Sequence, residues 1–538
     1  MKFIMDMVHD NPGEKPFDTA FRNPEKLVKY GYNTQVYRYF ATTASFEKMG
    51  GDFFEEEGGR KWLEQMQKKA EKEVNAAHSA GLMALTHMDL FVLPKLLVEK
   101  YKDEICNEEG KIDIFREKTK EIHRVLFDEL FERYPLDGLI IRVGETYLHD
   151  TPYHVGNGAV KYGNKEQEKK AFVELIKFLR EEICVRHGKY LIFRTWDIFP
   201  DRFHADLEYY LAVTDQIERH DKLIFSMKHT KLDFWRRVKF NPCIGMGQHG
   251  QVIEVQCQRE YEGKGAYPMY VMNGVINYFT ELKEPKGIRD VIDNPLFQGI
   301  FAWSRGGGWG GPYIQNEFWC DLNAYVIGMY GKDPSRTEEE IFLGYARQEM
   351  GMDQENARKF YELCSKKIPE AVLHGRGIEA YDLSLNEELM PCGLWIRDDR
   401  IAGLRQLNKV FRYLEEHGLV EKALKEKEDA VDLWKEIREE FKDIQLDKAE
   451  LRSFIENSIE YAIRFYTLAD ICFHIFAKCR KQEGVKELLK EYDAAWKWYK
   501  ELEARPQASS SYSEEYIFSV NNYGLNETIA YCRENLNF

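Results

Sequence analysis

Short apolar stretches alternate with amphipathic ones through the first 305 residues of the 538-residue chain. Eight of the apolar stretches predict β-strands, because several are apolar throughout, as strands buried on both faces are. They are Lys2–Val8, Thr34–Phe40, Leu82–His87, Gly138–Val143, Tyr190–Trp196, Leu223–Lys228, Val252–Cys257 and Gly299–Trp303. Amphipathic spacing predicts intervening helices, for example Arg60–Ser79, Asp113–Arg133 and Lys165–His187. This alternation predicts an α/β fold, a (β/α)₈ TIM barrel over residues 1–334.

The pattern changes from about Ser335 to successive amphipathic stretches rich in Glu, Lys and Leu. Their periodicity predicts helices, including Ala402–His417, Glu421–Phe441 and Ala449–Lys481, and no strand of weight. A polar break at Ala504–Ser513 precedes a last helical segment. We therefore expect residues 335–538 to form an all-helical C-terminal domain, in which an apolar stripe could form a homodimer interface.

Composition narrows the classes of partner and compartment. The net charge of −15 disfavours binding to nucleic acid or to anionic membranes. The N-terminus has no apolar signal segment, and no apolar run approaches the roughly 18 residues of a membrane span. The ten cysteines are scattered and form no C-x₂-C pair, which favours reduced thiols. We expect a cytoplasmic protein whose partners are neither nucleic acid nor membrane.

Carboxylates follow the predicted strands on the side where barrel enzymes carry their active sites. Glu145 follows the fourth strand, Asp233 the sixth and Glu260 the seventh, while Asp197 and Glu254 belong to the same rim. Glycoside hydrolysis uses two carboxyl groups, one protonated to assist the leaving group and one ionised to activate water or attack the sugar. Glu145, Asp233 and Glu260 are therefore the candidate catalytic residues.

Three cations fall at the ends of the same strands: Arg142, Arg194 and Lys228. Arg forks and Lys ammonium groups bind carboxylates, so the cluster predicts a pocket for an anionic sugar. Each cation could instead be the salt-bridge partner of a carboxylate on the rim. Only the joint pattern of carboxylates and cations therefore supports the prediction.

Two tryptophans are candidate sugar-contacting residues. Trp196 ends the fifth strand, and Trp309 lies in the glycine-rich run Ser304–Tyr313. That run lacks the Lys-Ser/Thr of a P-loop and the G-x-G-x-x-G spacing of a dinucleotide site. His149, Asp150 and His154 form no H-x-H or H-E-x-x-H pattern. We expect no cofactor and no metal.

Several segments resemble glycoside hydrolase family 67, the xylan α-glucuronidases. DGLIIRVGETY, FRTWDIFPDRFHADLEYY, DKLIFSMKHTKLDF and VIEVQCQREYEGKG follow in the family's order, and the likeness runs through most of the barrel. Its strongest piece is KHTKLDF followed by QREYEG. The resemblance implies that Glu145 is the general acid and that Asp233 and Glu260 bind and activate the attacking water.

The same resemblance implies that Arg142, Arg194 and Lys228 hold the uronate carboxylate. It also implies inversion of configuration, no metal, dimerisation through the helical region and release of α-linked (4-O-methyl)glucuronic acid from xylan-derived oligosaccharides. The chain departs from the family in four places. It begins at the first barrel strand without the family's N-terminal β-domain, and its acid motif is one residue shorter. It carries Arg142 where the family has Lys, and it reads TYLHDTPYH where the family reads G-Q-P-G-P.

Two alternatives remain open. A retaining glycosidase would use Glu145 as acid/base and Glu260 as nucleophile, with carboxyl groups about 5–5.5 Å apart instead of roughly 6.5–9.5 Å for inversion. A non-catalytic uronate-binding barrel protein is the other alternative, because a barrel alone does not define a function.

Overall fold

The computed structural model describes residues 1–10, 18–143, 151–156, 163–197, 199, 201–307, 313–314, 316–377, 401–504, 510–511 and 524–535. The eight predicted strands are confirmed and form a closed parallel barrel, in which their order follows the chain. They are β1 (Phe3–His9), β2 (Thr34–Tyr37), β3 (Met83–Asp89), β4 (Gly138–Arg142), β5 (Tyr190–Arg194), β6 (Leu223–Lys228), β7 (Gly250–Gln256) and β8 (Phe297–Gly306).

β1 and β8 close the barrel. Phe3 pairs with Gly299 and His9 with Gly306, and every other neighbouring pair is also parallel. A Cβ at Gly299 would overlap the carbonyl oxygen of Phe3, so the close approach of these strands requires glycine there.

Apolar side chains of alternate strand positions fill the barrel interior and separate its two ends. This inner cluster comprises Phe3, Met5, Met7, Val36, Leu85, Ile140, Ile192, Ile224, Val252, Phe301 and Trp303. Polar side chains replace apolar ones towards the C-terminal ends of the strands, where His87, Arg142, Arg194 and Glu254 are all buried. The polar end of the interior is therefore the face on which the candidate site residues lie.

Helices surround the barrel. They are α1 (Pro24–Lys29), α2 (Gly59–Ser79), α3 (Lys95–Ile105), α4 (Glu117–Arg133), α5 (Lys165–Leu179), α6 (Leu207–Thr214), α7 (Met272–Ile276) and α8 (Phe318–Lys332). The predicted helix from Asp113 begins later, at Glu117, because the Asp113 carboxylate accepts a hydrogen bond from the Phe115 N–H and holds a turn. The predicted Lys165–His187 helix continues past α5 as a wider π-helical segment, Arg180–Arg186.

The region after the barrel is helical, as predicted. Its helices are α9 (Glu338–Met350), α10 (Gln354–Glu362), α11 (Ile368–Arg376), α12 (Leu404–Glu416), α13 (Val420–Lys442), α14 (Ala449–Arg480), α15 (Lys486–Lys500) and α16 (Gly524–Asn535). The Trp319 indole on α8 donates to the Ser458 hydroxyl on α14 at 3.1 Å, and one apolar core runs through both regions. The domain boundary at residues 334/335 stays a prediction.

Two pairs of short strands that the sequence analysis did not predict lie outside the barrel. Ser510–Ser511 pairs antiparallel with Tyr313–Ile314, so the polar break contains a strand. Val92–Pro94 pairs antiparallel with His154–Gly156 beside the barrel. Two- and three-residue strands carry too few positions for their alternation to show in a sequence.

No helix in the described part of the chain is long and apolar enough to cross a membrane. The nine cysteines within the described ranges are buried and have free thiols. Among the residues that the structure describes, no group of three or more His, Cys, Asp or Glu side chains could hold a metal ion.

Candidate active site at the C-terminal face of the barrel

Six of the eight predicted site residues lie within the described ranges, at the C-terminal ends of β4 to β7 or in the loops that follow them. These are Arg142, Arg194, Trp196, Lys228, Asp233 and Glu260, and all six are buried. The other two, Glu145 and Trp309, lie outside the described residues.

Asp233 and Glu260 form a hydrogen-bonded carboxyl pair. Asp233 Oδ1 accepts from Lys228 Nζ at 2.5 Å, and Oδ2 accepts from the Tyr261 hydroxyl at 3.0 Å. Burial works to raise the pKa of Asp233, but the Lys228 ammonium and the hydrogen bonds from Lys228, Glu260 and Tyr261 bring it below its usual range. The lowered pKa keeps the Asp233 carboxylate ionised beside Glu260.

Lys228 binds Asp233, the ionised member of this pair. Its Nζ lies 3.3 Å from the centroid of the Trp196 ring and 4.8 Å from that of Phe234. The aromatic faces stabilise the buried ammonium group, which also donates to the Asp233 carboxylate. Trp196 therefore supports Lys228 in this structure, and its role in sugar binding stays a prediction.

Arg194 forms a bidentate ion pair with Glu254 inside the barrel. Nε and Nη2 donate to the two Glu254 oxygens at 2.8 and 2.6 Å, and Nη1 donates to His87 Nε2 at 3.1 Å. The guanidinium also lies 4.9 Å from the Trp303 ring centroid. Burial works to raise the pKa of Glu254, and Arg194 lowers it overall, so the pair is ionised.

Arg142 is held in the same manner by Asp89 at the end of β3. Its Nε and Nη2 donate to the two Asp89 oxygens at 2.6 and 2.8 Å. All three predicted cations thus have a carboxylate partner from another strand or loop. This is the salt-bridge alternative that the sequence left open, and the role of the cations in holding a uronate stays a prediction.

The loop after β7 holds Glu260 in a strained and highly connected backbone. Arg259 has φ 22°, a conformation that costs a non-glycine residue about 1–3 kcal/mol. Its guanidinium donates to Glu262 at 2.6 Å and to His229 at 3.1 Å, and the Glu260 N–H donates to Gln256 Oε1 at 3.1 Å. These contacts maintain the strained conformation and thereby fix the direction of Glu260.

Asp197, on the same rim, binds the backbone of the loop that follows β5. Its two oxygens accept backbone hydrogen bonds from Phe199 at 3.2 Å and Phe203 at 3.1 Å. Burial raises its pKa to about 7, although both hydrogen bonds oppose the rise. Asp197 therefore organises the loop after β5.

Sequence reasoning missed several residues that complete the site. Asp89, His87 and Tyr261 were not singled out, and Glu254 had no assigned partner. One signal could have found Asp89 and His87: both are polar residues at the end of an otherwise apolar strand, the position occupied by Arg142 and Arg194 on their strands. Tyr261 had only its place beside Glu260 to indicate it.

Comparison with known proteins gives a likeness in fold. No family model and no curated protein matches the chain, so the resemblance to family 67 stays a prediction. Among solved structures, the chain is similar to a GH138 enzyme targeting pectin rhamnogalacturonan II, with TM-score 0.54, 11% identity and coverage of 100% of this chain and 67% of that one. At this identity the likeness shows a shared fold.

Two further solved structures are less similar. One is a GH115 4-O-methyl-α-glucuronidase with specificity for decorated arabinogalactans, with TM-score 0.41, 10% identity and coverage of 84% of this chain and 52% of that one. The other is a GH20 exo-β-N-acetylglucosaminidase from Vibrio harveyi, with TM-score 0.35, 10% identity and coverage of 64% and 57%. The chain spans just over half the length of each.

Proposed function

We propose that the protein is a glycoside hydrolase that removes α-linked (4-O-methyl)glucuronic acid, or a related uronic acid, from plant-wall, xylan-derived oligosaccharides with inversion of configuration. The observation that carries the proposal is the Asp233–Glu260 carboxyl pair at the barrel mouth. Both carboxyl groups are buried, and Asp233 accepts hydrogen bonds from Lys228 and Tyr261. The GH138 enzyme of similar fold supports the same class of reaction.

The carboxyl pair fits the task of activating water. With Asp233 ionised, the pair can accept the one proton that an attacking water releases. Its hydrogen bonds to Lys228 and Tyr261 hold the oxygens of Asp233 in place before the reaction, so little reorganisation is needed. Glu145 acts as the general acid, a role that rests on its position after β4 and on the family resemblance.

The position of Asp233 beside Glu260 favours inversion over the retaining alternative. The retaining scheme would leave Asp233 without a role. If both carboxyl groups together activate the attacking water, Asp233 and Glu260 each have a role.

In this proposal, Arg142 and Lys228 are the main residues that bind the uronate carboxylate. Arg194 is enclosed by Glu254, His87 and Trp303, and its side chain has no exposed surface. A substrate carboxylate would share Arg142 or Lys228 with its present partner. The pairing of the cations disfavours a non-catalytic uronate-binding protein, because a binder of anions gains nothing from carboxylates that compete with its ligand.

A product screen tests the proposal. The full chain is incubated with aldouronic acids and with acidic oligosaccharides from pectin and arabinogalactan, and released sugars are identified by NMR. We expect a free uronic acid from at least one α-linked substrate and none with Glu260→Gln. Release of neutral sugars alone would contradict the proposed specificity for uronic acids. Release of no sugar from any substrate would contradict the proposed hydrolase activity.

A further inference from the structure

The two members of the carboxyl pair lie on different loops. Asp233 belongs to the loop after β6, and Glu260 belongs to the loop after β7. The two strands are neighbours in the barrel, but their loops leave the sheet separately. The hydrogen bond between the two carboxyl groups therefore requires other contacts that hold one loop against the other.

The Glu262 carboxylate bridges these loops. Its Oε1 accepts a hydrogen bond from the Arg236 backbone N–H at 3.0 Å, in the same loop as Asp233. Its Oε2 accepts from Arg259 Nε at 2.6 Å, and Arg259 directly precedes Glu260. Each oxygen of one side chain thus binds the loop of one member of the pair.

The bridge is enclosed in the protein. Glu262 has 1% of its surface exposed, and Arg236 and Arg259 are buried as well. A carboxylate in such a place is costly in free energy unless hydrogen bonds offset its lost hydration. Because solvent does not reach it, Glu262 acts on the site through the backbone of the two loops and not by contact with substrate.

The residue between Glu260 and Glu262 connects the same two loops. The ring centroid of Tyr261 lies 5.2 Å from that of Trp235, and its hydroxyl donates to Asp233 at 3.0 Å. Arg259, on the other side of Glu260, has the strained φ of 22°. Loss of the Glu262 carboxylate would remove one of the hydrogen bonds that hold this conformation, so the direction of the whole segment depends on it.

We propose that Glu262 is a positioning residue that sets the placement of Glu260 relative to Asp233. The inference rests on the proposed hydrolase function and adds to it a residue that controls the carboxyl pair without touching the substrate. Displacement of the pair slows activation of water and leaves the groups that bind the sugar in place. Loss of the bridge should therefore act on kcat and not on KM.

Removing the charge of the bridge tests the proposal. Glu262→Gln replaces one acceptor oxygen by an amide group, which cannot bind both loops as the carboxylate does. Glu281→Gln is the matched control, because the Glu281 carboxylate accepts from Arg236 Nε at 2.6 Å but lies after α7, outside the segment that carries Glu260. We expect Glu262→Gln to lower kcat for an aldouronic acid by about 10- to 100-fold with KM within about twofold of the wild type. The control should change neither.

The pH profile gives a readout that a loss of stability alone does not move. Burial works to raise the pKa of Asp233, and Lys228 together with hydrogen bonds from two residues of the loop after β7 lowers it. If the loops separate, those two hydrogen bonds weaken and the pKa of Asp233 rises. The acidic limb of the kcat/KM profile should therefore move to higher pH in Glu262→Gln and stay in place in the control.

Unchanged kcat and an unchanged acidic limb in folded Glu262→Gln would overturn the positioning role. An equal loss of kcat in the control would overturn it as well, because the effect would then follow from any buried carboxylate of this region. Glu262→Asp keeps the charge but is too short to reach both loops, and it replaces Glu262→Gln if that variant does not fold.

A measurement without substrate separates this inference from the proposed function. If the wild type hydrolyses no glycoside, the proposed function fails by itself, and the pKa of Asp233 still tests the bridge. Carbon-13 NMR of the full chain labelled at aspartate carboxyl groups measures that pKa, with Asp233→Asn to assign the signal. A rise in Glu262→Gln but not in Glu281→Gln supports the positioning role, and equal values in the wild type and both variants contradict it.

Discussion

Arg194 and Glu254 face each other inside the barrel through hydrogen bonds of 2.8 and 2.6 Å, and neither side chain has exposed surface. The sequence analysis placed Arg194 in a pocket for the substrate carboxylate, on the strength of its position at the end of β5. In the structure, the carboxylate that Arg194 binds belongs to Glu254 of the protein itself and not to a substrate. The pair therefore has a structural role that can be separated from substrate binding.

Removing one partner of this pair should destabilise the protein. We expect Arg194→Ala to lower the free energy of unfolding by about 3–5 kcal/mol, because it leaves the Glu254 carboxylate buried and unpaired. The double variant Arg194→Met, Glu254→Leu should recover most of that loss. Urea unfolding of the wild type and the two variants measures both effects. If Arg194→Ala instead has wild-type stability and a raised KM for uronate substrates, the structural role is wrong and Arg194 binds the substrate.

Changing either member of the carboxyl pair should abolish water activation. We expect Asp233→Asn and Glu260→Gln each to lower kcat by about 10²–10⁴-fold, for natural oligosaccharides and for substrates with activated leaving groups alike. Steady-state kinetics with both substrate types makes the measurement, and exposed Glu284→Gln is the matched control. Full activity of Asp233→Asn would leave Glu260 to act alone and would favour the retaining scheme.

Glu145 should show the opposite dependence on the leaving group. If it is the general acid, Glu145→Gln loses activity on natural oligosaccharides and keeps much of it on an aryl glycoside or glycosyl fluoride, whose leaving group needs no proton. The ratio of kcat/KM for the two substrates measures this. Equal loss on both would assign Glu145 to another role.

Product stereochemistry should report inversion. An α-linked substrate attacked once by water gives a β-anomeric uronic acid before mutarotation. Proton NMR during the first turnovers distinguishes the two anomers. An initial α-anomer would establish two displacements and a covalent intermediate on the enzyme.

Asp6 should make stability depend on pH in the acidic to neutral range. Burial raises its pKa from 3.8 to about 7 in the folded protein, so folding favours the protonated carboxyl. Its contribution is complete below pH 3.8 and is lost as the pH rises through about 7, with a slope of up to about 1.4 kcal/mol per pH unit. We expect Asp6→Asn to remove this slope in urea unfolding at a series of pH values. A slope that is unchanged in the variant would assign the effect to other groups such as Asp197.

Much of the fold could be predicted from the sequence, because buried parallel strands are apolar along their whole length and surface helices are apolar along one stripe. The strands Gly138–Arg142 and Leu223–Lys228 agree with the prediction almost to the residue. The positions of Arg142 and Lys228 at the mouth follow from the same reasoning. The carboxylates that pair with them cannot be predicted in this way, because the pairing depends on the register between neighbouring strands.

The case of Arg142 shows this limit. Asp89 lies opposite it only because β3 and β4 pair with Asp89 beside Arg142, and sequence periodicity does not give the register between strands. The hydrogen bond between Asp233 and Glu260 depends further on the strained turn at Arg259. Residue types at strand ends therefore predicted which charged side chains lie at the barrel mouth, and not which of those charges are paired with each other.

The pairing of the first strand with the eighth has a consequence for synthesis of the protein on the ribosome. β1 emerges first, yet its neighbour at Gly299–Gly306 is translated only after the other six strands. Until then β1 presents an apolar, unpaired edge, which is the kind of surface that associates with other chains. The nascent barrel stays open and prone to aggregation until β8 leaves the exit tunnel, so we expect truncations before Gly306 to depend on chaperones.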